Sequence, residues 1–488
     1  MVGEEVLSIE TVKKRAVRGV LVLTGRGFIL QIISFVAQAL LWAYLEPTIL
    51  GVFAIVSAMV AFLGYFSDIG LAAALVQKKE KPTDTDLRTT FLVQQGLVSI
   101  ALVVLIALAP MLTKQYNLSA EGQVLMYALA ISFFLSSLKS IPSILLEREL
   151  EFVKFSIPTI IETVVYNIIL VFLVIKGFGI ASFTYAVLAR GLIGVAVIYL
   201  LRPWNIGFAL SFASLKQLLR FGVPYQVNSF IAVFKDQGIV ILLGNTIGTT
   251  GVGLLDTSQR MVNLPLRFVM DNVTKVAFPA LSRMQDEQDH LIRSVTRMIF
   301  FVSLLIFPTV VGFVVVSPVL FNVISQYQKW LVAVPIISVL AINTLFASVS
   351  TPLFNMLYAI KKVKVTLYLM VMWAVLTWAL IPYLSITHGV MGAAIGYALV
   401  GASSVIPIYI AHKYVPFSFW HSFGKPFLAT IVMIIVLLVV RPFVQVSVSG
   451  LGILIGSGVI SYTAAILALV GAGLISDAKR SFKEILAR

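Results

Sequence analysis

Twelve ionisable residues lie inside stretches apolar enough to cross a membrane, and their chemistry bounds what the protein can do. Seven are cations: Arg26, Lys139, Arg190, Lys235, Arg260, Arg267 and Lys275. Five are acids: Asp68, Glu162, Asp236, Asp256 and Asp271. A cation at membrane depth costs at least about 2.5 kcal/mol on insertion scales, so such residues face a bundle interior or a watery cavity. A guanidinium fork matches phosphate oxygens in paired hydrogen bonds, whereas lysine supplies a less directional charge. Around a shared cavity, Arg26, Arg190 and Arg260 would clamp a diphosphate, with Lys139, Lys235, Arg267 and Lys275 adding positive potential. A second reading is local neutralisation. Asp256 and Arg260, Arg267 and Asp271, and Asp271 and Lys275 are each four residues apart on a helix face. Lys235 adjoins Asp236, although adjacent residues of an α-helix point apart. Arg26, Lys139 and Arg190 have no acid three or four residues away, and Lys139, towards one end of its span, could instead reach lipid phosphates. Asp68, Glu162 and Asp236 are candidate carboxylates for a coupling proton or sodium ion, since burial raises and nearby cations lower a carboxyl pKa.

Other chemistries find no residues to carry them. The chain has no cysteine, which excludes disulfides, a thiol nucleophile and thiolate-bound metal. There is no Walker loop, no HExxH and no GxSxG, and the four histidines lack ligand spacing. No cofactor and no catalytic centre are expected.

The elements that must position these charges are membrane helices. Of 488 residues, 59% are apolar and 12% charged, against about 25% charged in a soluble domain. The mean hydropathy is +1.01. Spans of about 20 residues start near Val20, Ile49, Phe91, Gly122, Ser156, Gly179, Gln217, Gly251, Ile292, Pro335, Val365, Gly389, Phe427 and Gly450, which predicts an all-α polytopic protein with about fourteen crossings. One of them, "LLDTSQRMVNLPLRFVMDNVTKVAFPALSR" at 254–283, gathers Asp256, Arg260, Asn263, Arg267, Asp271 and Lys275 in a polar arc of roughly 160°. Pro265 within it, and other span prolines, permit kinks. Gly392 and Gly396 offer a small-residue face for helix packing within the monomer. Trp42, Tyr44 and Trp330 are expected in an interfacial aromatic belt.

A net charge of +15 would point to nucleic acid in a soluble chain, but here the connectors carry it. Alternate connectors hold basic clusters such as Lys13 to Arg18, Lys78 to Arg88, Lys361 to Lys364 and Lys479 to Lys483, while the intervening ones hold only Lys114, Lys176, Lys329 and Arg441. The positive-inside rule puts both termini in the cytoplasm and makes the helix number even. Residues 1–18 read as a cytoplasmic leader.

"LGVFAIVSAMVAFLGYFSD" at 50–68 aligns at an offset of 202 with "VGLLDTSQRMVNLPLRFVM" at 252–270, pairing Gly51 with Gly253 and Met59 with Met261. Each hairpin opens a block of six helices, 19–205 and 206–414, leaving helices thirteen and fourteen in 415–488. Repeated halves flanking a substrate site are a common transporter plan.

"LEPTILGVFAIVSAMVAFLGYFSDIGLAAALVQ" at 45–77, followed by "RTTF" and later by "PLFNMLYAIKK" around Pro352, Asn355 and Tyr358, resembles the Wzx-type oligosaccharide flippases of the polysaccharide transporter family. These belong to the MATE-like (MOP) superfamily. The resemblance implies a V-shaped arrangement of two six-helix lobes plus an appended pair, in a plasma-membrane protein exporting polyprenyl-diphosphate-linked oligosaccharide by alternating access. In the related lipid II flippases, arginines on the first and eighth helices line the cavity; Arg26 and Arg260 stand at comparable places. Those proteins also carry an arginine on the second helix, where this chain has Asp68. The partners expected are the lipid-linked substrate, membrane lipids and polysaccharide polymerase machinery, with the chain itself a monomer. A MATE-like drug exporter, whose cavity should be acidic or aromatic, and a membrane polymerase or ligase, which should show a long external loop, are the alternatives.

Overall fold

The computed structural model describes the backbone of residues 9–66, 69–78 and 80–471, and side chains from residue 25 except 221, 224, 225, 227–229, 275 and 276. Among the described residues every regular element is helical: α1 (Ile9–Tyr44), α2 (Pro47–Tyr65), α3 (Leu71–Gln77), α4 (Asp84–Gln115), α5 (Ala120–Leu138), α6 (Ser140–Arg148), α7 (Phe152–Ile175), α8 (Ala181–Leu201), α9 (Phe212–Val233), α10 (Ile239–Arg283), α11 (Gln288–Val323), α12 (Val334–Ala359), α13 (Val363–Ala402), α14 (Val405–Tyr414), α15 (Lys425–Val440) and α16 (Val448–Val470). Short 3-10 or π turns join several of them.

Among the described residues, twelve segments are long and apolar enough to cross a membrane. Two of these, Phe230–Thr274 and Val363–Tyr414, run to 45 and 52 residues, about twice what the hydrocarbon core requires. Each is broken at a glycine with positive φ: Gly248 at 70° and Gly389 at 58°, a backbone state that only glycine enters without steric cost. Divided there, the spans number about fourteen. Beyond Gly389 the chain doubles back, since a Cβ on Gly392 would lie 1.8 Å from the Leu384 carbonyl oxygen and one on Gly396 would lie 2.9 Å from the Ile381 side chain. The small-residue face at Gly392 and Gly396 therefore packs one half of α13 on the other.

Helix starts follow local chemistry. Pro47 opens α2, where the absent N–H costs nothing. The α4 helix begins at Asp84 rather than near Phe91 because Thr83 and Asp86 form a capping box: the Asp86 N–H donates to Thr83 Oγ1 at 3.1 Å and the Thr83 N–H to Asp86 Oδ2 at 2.9 Å. Ser119, Ser211 and Ser447 cap α5, α9 and α16 with a single bond each, the hydroxyl accepting the N–H three residues on. The outward faces are apolar, as in α4, where Ile100, Val103 and Met111 are all more than 60% exposed. Such faces suit acyl chains and not water.

The chain forms two compact units, Met1–Gly253 and Leu254–Arg488. In the first, α7 packs on α1 and α8, and α5 on α8, with Leu71, Leu75, Phe91 and Ile141 in a buried cluster beneath α3. In the second, α12 packs on α11 and α13, around Ile299, Leu353, Met356 and Phe417. There α15 and α16 pack together and against α11, burying Met433 and Leu454.

Two expected belt aromatics are packed inside the protein and do not face lipid or water. Trp42 is 5% exposed and Trp330 fully buried, while Tyr44 is 48% exposed. Trp330 is taken inside by the 3-10 segment Ser325–Ala333 that precedes α12, a turn that periodicity did not reveal.

Candidate functional site

In the first unit, four elements converge on the carboxylate of Glu162, midway along α7 and 5% exposed. Lys139 joins the end of α5 to the start of α6. Its Nζ donates to Glu162 Oε1 at 2.7 Å. Arg190, on α8, brings Nε to 3.7 Å from Glu162 Oε2, an ion pair too long for a hydrogen bond. The Arg190 guanidinium also lies 5.8 Å from the ring centre of Tyr166, within cation–π range. Arg26, on α1, donates from Nη1 to the buried Ser156 Oγ at 3.4 Å and lies within electrostatic reach of Glu162.

The packing makes room for this cluster. A Cβ on Gly194 would fall 2.2 Å from Glu162 Oε1, so the bare backbone one turn after Arg190 is the carboxylate's seat. Tyr199 reaches across from α8 to donate to the Leu138 carbonyl at 3.0 Å, fixing α8 beside Lys139. Three cations thus share one carboxylate, and the local balance is positive. The exposures grade the group: the side chains of Glu162 and Lys139 are 6% and 16% exposed, and that of Arg190 is 50%.

The remaining charges are arranged differently. Lys235 and Asp236 pair directly within the π turn Phe234–Gly238, although neighbours on a helix were expected to point apart. The lysine stem is long enough to fold back onto the adjacent carboxylate. In the second unit, Arg260 Nε donates to Asp256 Oδ2 at 2.7 Å, the pairing its four-residue spacing foreshadowed. Arg267 is exposed on the same helix. Asp68 and the Lys275 side chain lie outside the described residues.

The structure also reveals polar contacts that sequence reasoning missed. Asn263 accepts from Thr344 at 2.7 Å, and Asn355 donates to Thr274 at 2.9 Å, so two bonds, each bridging 81 residues, tie α10 to α12. Asp86 is buried and bridges α4 to the start of α9, accepting from Lys78 Nζ at 2.7 Å and from the Ser214 hydroxyl. The signal available for it was the capping box, which explains its bond with Thr83 and neither Lys78 nor Ser214.

Comparison with known proteins adds the family. Residues 44–335, most of the chain, match the family described as "Polysaccharide biosynthesis protein". The chain belongs to that family. Over 474 residues it is 24% identical to a membrane protein of the cps region of Klebsiella pneumoniae, covering 94% of this chain and 95% of that one. It is 26% identical over 307 residues to the teichuronic acid biosynthesis protein TuaB of Bacillus subtilis, 62% of each chain. It is 23% identical over 379 residues to the lipopolysaccharide biosynthesis protein WzxC of Escherichia coli, 74% and 73% of the two chains. Among solved structures, this polysaccharide biosynthesis family member shares the fold of the lipid II flippase MurJ in an inward closed conformation, with a TM-score of 0.75 at 15% identity over 92% and 98% of the two chains. An inward-facing multidrug resistance MATE transporter of the MOP superfamily aligns at a TM-score of 0.61 over 79% and 94%. The fold is therefore MATE-like, in a multi-pass membrane protein.

Proposed function

We propose that this protein is a flippase that carries a polyprenyl-diphosphate-linked oligosaccharide across the plasma membrane for surface polysaccharide assembly. The observation that carries the reading is the surplus of cations gathered around Glu162 from α1, the α5–α6 junction and α8 of one unit, in a chain of the polysaccharide biosynthesis family. A neutral or cationic cargo would have no use for it. A lipid diphosphate places its anionic group between sugar and tail, so the diphosphate enters among Arg26, Lys139 and Arg190 while the prenyl chain stays in lipid. Arg260, Arg267, Lys235 and Lys275 are proposed as further cations that the anionic cargo meets. No bond is made or broken in the cargo; the protein works by exchanging conformations, and the anion biases that exchange only through its different affinity for each state.

The basic connectors support a cytoplasmic position for both termini. Coupling to a proton or sodium gradient through Glu162, Asp236 or Asp68 would supply direction. Polymerase machinery on the outer side would consume the product, and the chain acts as a monomer of two six-helix lobes, 19–205 and 206–414, with helices thirteen and fourteen appended. The triple change Arg26→Ala, Arg190→Ala, Arg260→Ala is expected to abolish complementation of a flippase-deficient strain at normal membrane expression. Full complementation by that variant would remove the anionic cargo from the reading.

A further inference from the structure

A cationic cluster that receives an anion has little reason to bury a carboxylate among its charges, yet Glu162 sits there at 5% exposure. Its two ion pairs are unequal. Lys139 is held at 2.7 Å and nearly enclosed, whereas Arg190 stands at 3.7 Å with half of its side chain exposed. The Arg190 guanidinium is therefore attracted to Glu162 without being hydrogen-bonded to it, and the Tyr166 face beside it offers a surface along which a planar cation slides at little cost. Gly194, one turn after Arg190, keeps the carboxylate close, because any side chain there would collide with Oε1.

We propose that Glu162 is a built-in competitor of the cargo's phosphate: it holds the cations in place while no cargo is bound, yields Arg190 to the arriving anion and keeps Lys139. The inference rests on the flippase reading and adds to it a positioning residue that sets affinity and release. Without a resident anion, three neighbouring cations repel one another and bind a diphosphate too tightly to let it go. With one, the incoming phosphate gains Arg190 only by taking it from Glu162, so the net binding energy stays small in both directions.

The test uses the full chain in lipid nanodiscs with inorganic pyrophosphate as probe, read by calorimetry, together with cellular complementation. Glu162→Gln keeps the shape and removes the charge. It is expected to bind pyrophosphate at least about tenfold tighter, the effect of one unit charge still roughly 12 Å away at an effective dielectric of about 20, and to complement less well because release slows. The same change made on top of Arg190→Gln should give no tightening beyond a factor of about two, since coupled residues depart from additivity. Gly194→Ala, which displaces the carboxylate without neutralising it, should shift affinity in the same direction and serves if Glu162→Gln is poorly folded. Unchanged or weaker pyrophosphate binding by Glu162→Gln and Gly194→Ala, or equal tightening with and without Arg190, overturns the competitor role and leaves the flippase reading standing. Failure of every variant and of the wild type to bind pyrophosphate, together with full complementation by the triple arginine variant, overturns both.

Discussion

Lys139 and Arg190 hold the same carboxylate by different means and should respond differently to removal. Lys139→Met strips the short, enclosed bond and leaves Glu162 buried with only a distant partner, a loss worth about 3–5 kcal/mol when a buried pair is broken from one side. Arg190→Met removes a half-exposed cation at 3.7 Å, a contact of the strength of surface pairs, about 1 kcal/mol or less. Thermal unfolding in detergent should therefore show a clear drop in midpoint for Lys139→Met and little change for Arg190→Met, while complementation falls in both. The reverse order of stabilities would mean that Arg190 anchors the cluster. At this scale the sequence was only partly legible. Arg260 and Asp256 could be paired by counting four residues along a helix, but Lys139 and Glu162 are separated by 23 positions, and nothing in their spacing joins them.

Among elements, the two segments that align at an offset of 202 approach each other closely. The amino end of α2 meets the segment that follows the break at Gly248 so closely that a Cβ on Gly51 would lie 1.8 Å from the Thr249 carbonyl oxygen, and one on Gly253 1.8 Å from that of Pro47. Thr48 and Thr250 share a hydrogen bond at 2.8 Å beside the crossing. The two aligned segments thus cross backbone to backbone, which glycine alone permits. Gly51→Val and Gly253→Val should each abolish complementation while the protein still inserts in the membrane. Because the native chain has no cysteine, Thr48→Cys with Thr250→Cys is a clean pair, expected to form a disulfide on oxidation, as the side chains already touch. Its absence under oxidising conditions would show that the crossing is not populated in membranes. The alignment marked Gly51 and Gly253 as equivalent; it could not say that they meet.

For the molecule as a whole, the distribution of basic connectors predicts sidedness. Single cysteines at Lys114 and Lys329 should react with an impermeant maleimide in intact cells, whereas one at Lys362 should react only after permeabilisation. Labelling of the Lys362 position from outside would invert the topology, and with it the direction in which a cargo is carried.

Membrane character, the positions of the spans and the family are written locally in the chain. Each depends on about 20 consecutive residues being apolar or on a short run of identities, and neither needs knowledge of what lies opposite. Hydropathy located the crossings, including the turns near Gly248 and Gly389. Which carboxylate each buried cation meets, how loosely Arg190 is held, and why Trp42 and Trp330 are inside were decided by tertiary structure, because these depend on side chains brought together from helices far apart in sequence. A charge in a span announces that it must have a partner or a watery cavity; only packing chooses which.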